Sequence, residues 1–184
     1  MSKGVKVFQS KLPSLGTSIF TQMSMLANQH QAINLSQGFP EFDTPDFLKL
    51  QISTAIQTGL NQYSPSNGIA PLQQQIANLI ERKYGNSLEP SASITVTSGA
   101  TEALFAAIHC CVSPGDEVIM FDPSYDAYDP IVRLAGGVPV HIPLHAATGF
   151  RIDWEDLTRA ITPKTRVIMV NTPHNPTGSV WSME

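Results

Sequence analysis

The stretch ITVTSGATEALFAAIHCCVSPGDEVIMFDPSY, Ile94 to Tyr125, decides the fold class. Ile94 to Thr97 reads as a short strand, small residues make a turn, and Thr101 to Cys111 is a small-residue helix. Glu117 to Phe121 reads as the next strand, and the Asp122-Pro123 step turns the chain into a helix from Tyr125 to Leu134, with Ser124 as its cap. The alternation continues past this stretch. After a Gly136-Gly137 turn comes a strand from Val138 to Ile142. Asp153 then caps a helix through Ala160, with Asp156 placed to bond back, and the last strand is Arg166 to Val170. Strand followed by helix, repeated, predicts an α/β fold with a mostly parallel sheet and helices on both faces. Such sheets bind ligands at the carboxyl ends of their strands.

Towards the N-terminus the texture is helical. An irregular arm with Pro13 and Gly16 leads into a helix from Ile19 to Gln29, and Asn34 to Gly38 leads into the turn Gly38-Phe39-Pro40. Asp43-Thr44-Pro45 reads as a capped helix start, with Phe47, Leu48, Ile52, Ala55 and Ile56 at helical spacing up to Gly59. A further helix begins near Pro71, carries Leu72, Ile76, Leu79 and Ile80 on one face, and stops at Gly85.

Composition narrows the partners. The chain has 184 residues and a formal charge of −4, from 11 Lys+Arg against 15 Asp+Glu. That balance disfavours nucleic acid and anionic membrane surfaces, either of which would call for a basic patch. Charged residues are 14% of the chain, against about 25% in an average soluble domain. No apolar run approaches the ~20 residues of a membrane span, and Met1 to Ser10 lacks the apolar stretch of a signal peptide. Cys110 and Cys111 are adjacent, which excludes a disulfide framework and points to a reducing cytoplasm.

Three loops could carry chemistry, and each also has a plain structural reading. In Thr97-Ser98-Gly99-Ala100-Thr101-Glu102 a helix starts directly after a strand, so N–H groups and the helix dipole favour a phosphate, and the hydroxyls of Ser98 and Thr101 can donate to it. A tight turn with Thr101 as N-cap accounts for the same residues. In Asp122 to Tyr128 an aromatic ring stands at the crevice mouth, suited to stacking on a planar ligand, although Tyr125 and Tyr128 can equally pack beneath the loop. In Asn171-Thr172-Pro173-His174-Asn175-Pro176-Thr177-Gly178 two prolines stiffen the backbone, and the Asn175 amide, donor and acceptor together, suits a phenolic oxygen. An Asn-Pro turn explains that loop as well, and His174 reads as a bystander. Earlier, Gly38 offers an unobstructed backbone N–H for a carboxylate, and Tyr63 sits in the polar loop Asn61 to Gly68.

The order and spacing of these five segments resemble one family, the fold type I, class I/II aminotransferases that depend on pyridoxal 5'-phosphate (PLP). The resemblance runs from about Leu12 onward. Within the family, NLSQGFPEFDTP, NQYSPSNG, FDPSYDAY and NTPHNPTG look most like the methionine aminotransferase and kynurenine aminotransferase (glutamine transaminase K) branch. It implies that Gly99, Ala100 and Thr101 cradle the cofactor phosphate, that Tyr125 stacks on the pyridine ring, and that Asn175 bonds the ring hydroxyl oxygen and also takes part in substrate binding. It implies further that Tyr63 reaches the phosphate across a homodimer, that Gly38 meets the substrate carboxylate, and that Phe20 lines the substrate side-chain pocket. No metal is implied.

By the same resemblance, residues 1–44 are an N-terminal arm and small-domain segment, and residues 45–184 are the first part of the large PLP-binding domain, which is expected to be incomplete. The family's cofactor-linked lysine belongs to a later motif. None of Lys3, Lys6, Lys11, Lys49, Lys83 and Lys164 lies in it, so no catalytic residue is assigned and this portion alone is expected to be inactive. The implied reaction moves an amino group between an L-amino acid (methionine, glutamine, kynurenine or aromatic) and a 2-oxo acid. The alternatives are a cysteine-conjugate or cystathionine β-lyase on the same cofactor, or a non-catalytic scaffold.

Overall fold

The computed structural model describes residues 9–38, 40 and 42–182. The chain packs as two units. One runs from Ile19 to Ser98, and the other is formed, among the described residues, by 9–18 and 99–182.

The second of these holds the sheet. Helix α5 (Gly99–Cys111) is followed by β1 (Glu117–Asp122), α6 (Tyr128–Leu134), β2 (Val138–Pro143), a 3₁₀ turn at Ala146–Thr148, α7 (Trp154–Ala160) and β3 (Thr165–Ile168). The strands lie in the order β2-β1-β3, all parallel. Glu117 pairs with Val138 and Asp122 with Pro143 along one side of β1, while Val118 pairs with Val167 and Ile119 with Ile168 along the other. The apolar run of β1 is buried on both faces, as expected of a central strand covered on each side. Val118 and Met120 pack with Ile108, Val112, Ile131 and Val132 beneath α5 and α6. Ile119 and Phe121 pack with Ile142 and Leu144 on the face that α7 covers through Leu157 and Ala160. Removing a side chain such as Ile119 from water stabilises the fold by roughly 1.5–3 kcal/mol. The α/β class, the parallel sheet and the helices on both faces therefore stand as expected.

Two helix starts show how local chemistry sets the boundaries. The Asp153 carboxylate accepts the N–H groups of Glu155 (2.9 Å) and Asp156 (3.2 Å), the expected cap of α7. The Asp156 carboxylate pairs with Arg159 instead of reaching back. Helix α6 departs from expectation, starting at Tyr128 with Ala127 as an N-cap that has no side-chain bond, so Ser124 caps nothing there. Pro130 is the reason. In a helix begun at Tyr125 it would lie in the interior and lack the N–H owed to Asp126, whereas from Tyr128 it falls in the first turn, where no partner is needed. Helix α5 extends two residues further towards its N-terminus than expected, to Gly99, and β3 ends earlier, at Ile168.

The other unit is helical: α1 (Ile19–Gln29), α2 (Asp46–Gln57), α3 (Ala70–Tyr84) and the short α4 (Pro90–Ser93). Gly85 closes α3 in a left-handed conformation, as its position suggested. Helix α2 begins after Pro45 without a side-chain cap. Asp43 is spent on the Thr44 N–H (2.7 Å) and an ion pair with Lys49. The buried line of α3 is Gln73 and Ala77, while Leu72 and Leu79 are exposed, so the expected apolar face is rotated. The expected strand from Ile94 to Thr97 is absent. Ile94 is extended (φ −126°, ψ 124°), but the segment has no strand partner among the described residues. It is tied locally instead. The Val96 N–H donates to the Asn67 carbonyl (3.0 Å), and the Gln73 amide donates to the carbonyls of Asn67 (3.0 Å) and Ile94 (2.9 Å). The turn expected at Gly38-Phe39-Pro40 includes Phe39, which lies outside the described residues.

Candidate active site

The amino end of α5 has the features an anion site needs. Gly99 has φ +82°, a conformation that any other L-residue adopts only under strain, and a Cβ built there would meet nothing within 4 Å. Space is open above it. The helix behind has 13 residues, enough to carry a full terminal dipole, and Gly99, Ala100 and Thr101 are all exposed.

The Asp122 to Tyr128 loop, leaving the carboxyl end of β1, brings an aromatic ring to the same place. The Thr101 hydroxyl lies 3.3 Å from the Tyr125 hydroxyl. Tyr125 is half-buried and meets Tyr128 edge-on, ring centroids 5.6 Å apart at 76°. Tyr128 packs against the core under α6, and its burial, with Tyr125 beside it, raises its phenol above the ordinary value. The two tyrosines thus divide the roles left open by the sequence: Tyr128 fills space, and Tyr125 stands at the loop's edge next to Thr101.

The Asn171 to Gly178 loop follows β3, the parallel neighbour of β1, so both loops leave adjacent strands at the same end of the sheet. Its shape is held from within. The Asn171 side-chain carbonyl accepts the Asn175 N–H (2.8 Å), and His174 donates its N–H to Ser179 (2.8 Å) and accepts from the N–H of Gly178 (2.6 Å). His174, only 3% exposed, stacks on Trp181 (5.1 Å, 26°), and its Nδ1 lies 2.8 Å from the Thr177 hydroxyl. Burial lowers its ring pKa, opposed by a hydrogen bond with the backbone of Phe121. It anchors the loop. Asn175 itself is exposed, on the rim that His174 secures.

The remaining sequence-selected residues lie in the helical unit. Tyr63 is fully exposed in the loop between α2 and α3. Gly38 is exposed, with nothing within 4 Å of a built Cβ, and Phe20 is half-buried in the first turn of α1. The loop bearing Tyr63 ends at Gly68, where φ is +105° and a Cβ would come 2.6 Å from the Val96 side chain, so only glycine fits. In the sheet unit a cavity of about 1150 Å³ opens on the α7 face, lined by Phe121, Trp154, Leu157, Ile168, Val170 and Trp181 among others. None of Gly99, Ala100, Thr101, Tyr125 and Asn175 lines it.

One cluster near Tyr125 had no sequence signal. The His141 ring lies between Asp122 (Nδ1 to Oδ2, 2.8 Å) and Asp129 (Nε2 to Oδ2, 3.0 Å), and Arg133 holds the other oxygen of Asp129 at 2.6 Å. Arg133 first, and His141 after it, keep the Asp129 carboxyl below its usual range against the opposing effect of burial. The β1–β2 register, which sets Met120 opposite His141, brings the ring beside Asp122, while Asp129 and Arg133 meet as an i,i+4 pair on α6.

The parallel α/β unit is the fold the family resemblance called for. The family model for aminotransferase class I and II matches residues 30–184, and the chain belongs to that family. Over 181 residues it is 50% identical to the methionine aminotransferase of Escherichia coli (strain K12), an alignment that takes in 98% of this chain and 47% of that protein. The kynurenine–oxoglutarate transaminase of Dictyostelium discoideum is 37% identical over 186 residues, covering 93% of this chain and 43% of that one. Among solved structures, the N-succinyldiaminopimelate aminotransferase from Mycobacterium tuberculosis superposes with a TM-score of 0.88 at 44% identity, over 96% of this chain and 46% of its own. The chain spans about half the length of the curated relatives it matches.

Proposed function

We propose that this chain supplies the cofactor-cradling part of a PLP-dependent aminotransferase, which moves the amino group of an L-amino acid to a 2-oxo acid. The observation that carries the reading is the apposition of Thr101 and Tyr125 at the amino end of α5, where a Cβ at Gly99 would meet nothing. When bound, PLP supplies the electron sink for amino-group transfer. The protein's part is to hold and orient. Gly99, Ala100 and Thr101 take the phosphate at the positive end of the helix, and no side chain at Gly99 obstructs its approach. Tyr125 supports one face of the pyridine ring. Asn175, on a loop stiffened by the buried His174, offers its side-chain amide to the ring hydroxyl oxygen.

In the same reading Tyr63 reaches the phosphate of a second copy's site in a homodimer, Gly38 binds the substrate carboxylate through its backbone N–H, and Phe20 borders the substrate side chain. Methionine, glutamine, kynurenine and aromatic amino acids are the donors we propose. The named relatives are aminotransferases, which supports transfer over elimination of a sulfur leaving group. We assign no lysine of this chain the covalent role. Residues 1–44 are proposed as arm and small-domain segment and residues 45–184 as the start of the large domain. The setting we propose is the cytoplasm, in keeping with the free, exposed thiols of Cys110 and Cys111. No helix among the described residues is long and apolar enough to cross a membrane.

Asn175→Ala in the protein as its gene encodes it tests the reading. The substitution is expected to shift the absorbance of bound PLP and slow amino transfer. An unchanged spectrum and rate would remove Asn175 from the site.

A further inference from the structure

We propose that His141 is a positioning residue, a charged clamp that pins both ends of the segment carrying Tyr125. The inference rests on the cofactor reading only for what Tyr125 faces. Asp122 is the last residue of β1, and its carbonyl also accepts the Leu144 N–H from the end of β2 (2.6 Å). Asp129 lies in the first turn of α6. Tyr125 falls between them, its carbonyl accepting the Tyr128 N–H (3.1 Å). With Nδ1 on Asp122 and Nε2 on Asp129, one imidazole closes this segment into a loop fixed to β2.

The chemistry of the contacts sets how the ring can serve its two neighbours. An ionised carboxylate only accepts hydrogen bonds, and a neutral imidazole has a single N–H, so it can satisfy only one of its two neighbours. Both contacts are hydrogen bonds together only in the imidazolium. The charged groups around the ring are Asp122, Asp129 and, on the far side of Asp129, Arg133, with the Tyr125 and Tyr128 phenols on the same segment. Asp129 thus meets both His141 and Arg133, and Asp122 meets His141. Without the ring both contacts are lost, and Tyr125 gains freedom relative to the amino end of α5. The His141 side chain is 35% exposed, so salt screens the clamp in part.

The test uses the whole encoded protein and PLP, with two independent readouts. In ¹⁵N spectra of labelled histidine, assigned by loss of a signal in H141Q, the His141 ring signals are expected to move in both D122N and D129N, since each removes the charge of one neighbour. Ring signals that stay in place in either variant would overturn the clamp. In PLP titrations H141Q is expected to bind about threefold to tenfold more weakly than wild type, with the ratio falling as salt is raised. Equal affinity would also overturn it. If H141Q does not fold, D129N weakens one of the two contacts and is judged by the same titration. Y125L is the control for the underlying reading and is expected to weaken PLP binding at every salt concentration. If Y125L binds PLP as wild type does, the cofactor reading has failed, and the ¹⁵N signals alone decide whether the clamp exists.

Discussion

Gln73 offers the sharpest test of how the helical unit is held. Its side chain is 3% exposed, and its amide nitrogen has two N–H groups, one for the Asn67 carbonyl at 3.0 Å and one for the Ile94 carbonyl at 2.9 Å. These bonds join α3 to the loop bearing Tyr63 on one side and to the segment leading to Gly99 on the other. Gln73→Glu keeps the shape and removes both donors. The two lost bonds are worth about 1 kcal/mol each, and a buried carboxylate facing two carbonyls must in addition stay ionised at a cost or take up a proton. A loss of about 2 kcal/mol or more is expected at neutral pH, roughly a thirtyfold change in the unfolding equilibrium. Protonation restores one donor, so the loss should shrink in acid. Urea unfolding of the encoded protein at neutral and acid pH measures it, with hydrogen exchange at the Val96 amide as a local readout. A loss below about 0.5 kcal/mol would refute the reasoning, because one buried and one partly buried bond cannot be removed so cheaply.

Two further outcomes follow from particular residues. Gly68→Ala is expected to destabilise the protein by about 1–3 kcal/mol, since it combines a left-handed backbone with a clash against Val96, and an unchanged melting temperature would contradict the contact. Burial lowers the His174 pKa from 6.5, so below that value the unfolded chain takes a proton that the folded chain resists. Its contribution is therefore intact above about pH 6.5 and is lost as pH falls below it. His174→Asn should flatten that part of the stability–pH curve, and an identical curve would show that His174 does not titrate as described.

Much of this fold is legible in local patterns. Helix α1 occupies the residues its spacing marks out, Gly85 stops α3, Asp153 caps α7, and the unbroken apolar run Val118 to Phe121 is the central strand. These features depend on neighbours in sequence. The misreadings depend on neighbours in space. Ile94 to Thr97 has strand-forming residues, but a strand needs a partner, and here the backbone bonds go to Asn67 and the Gln73 side chain. A glutamine on α3 reads as a surface residue until its two carbonyl partners are seen. Pro130 is different, because its place inside the expected helix was a local warning that the helix must begin later. Of the candidate site, the turn into α5 and the loop after β1 were readable as segments, and the apposition of Thr101 with Tyr125 bears on both. The His141 bridge was not readable, because only the register of two parallel strands sets it beside Asp122.

The central claim is that the amino end of α5 and the loop after β1 form one seat for PLP. A crystal structure of the encoded protein grown with PLP tests it most directly. The phosphate is expected against the backbone of Gly99, Ala100 and Thr101, with the Tyr125 ring on the pyridine face. A phosphate bound elsewhere, with Tyr125 turned away from the ring, would contradict it.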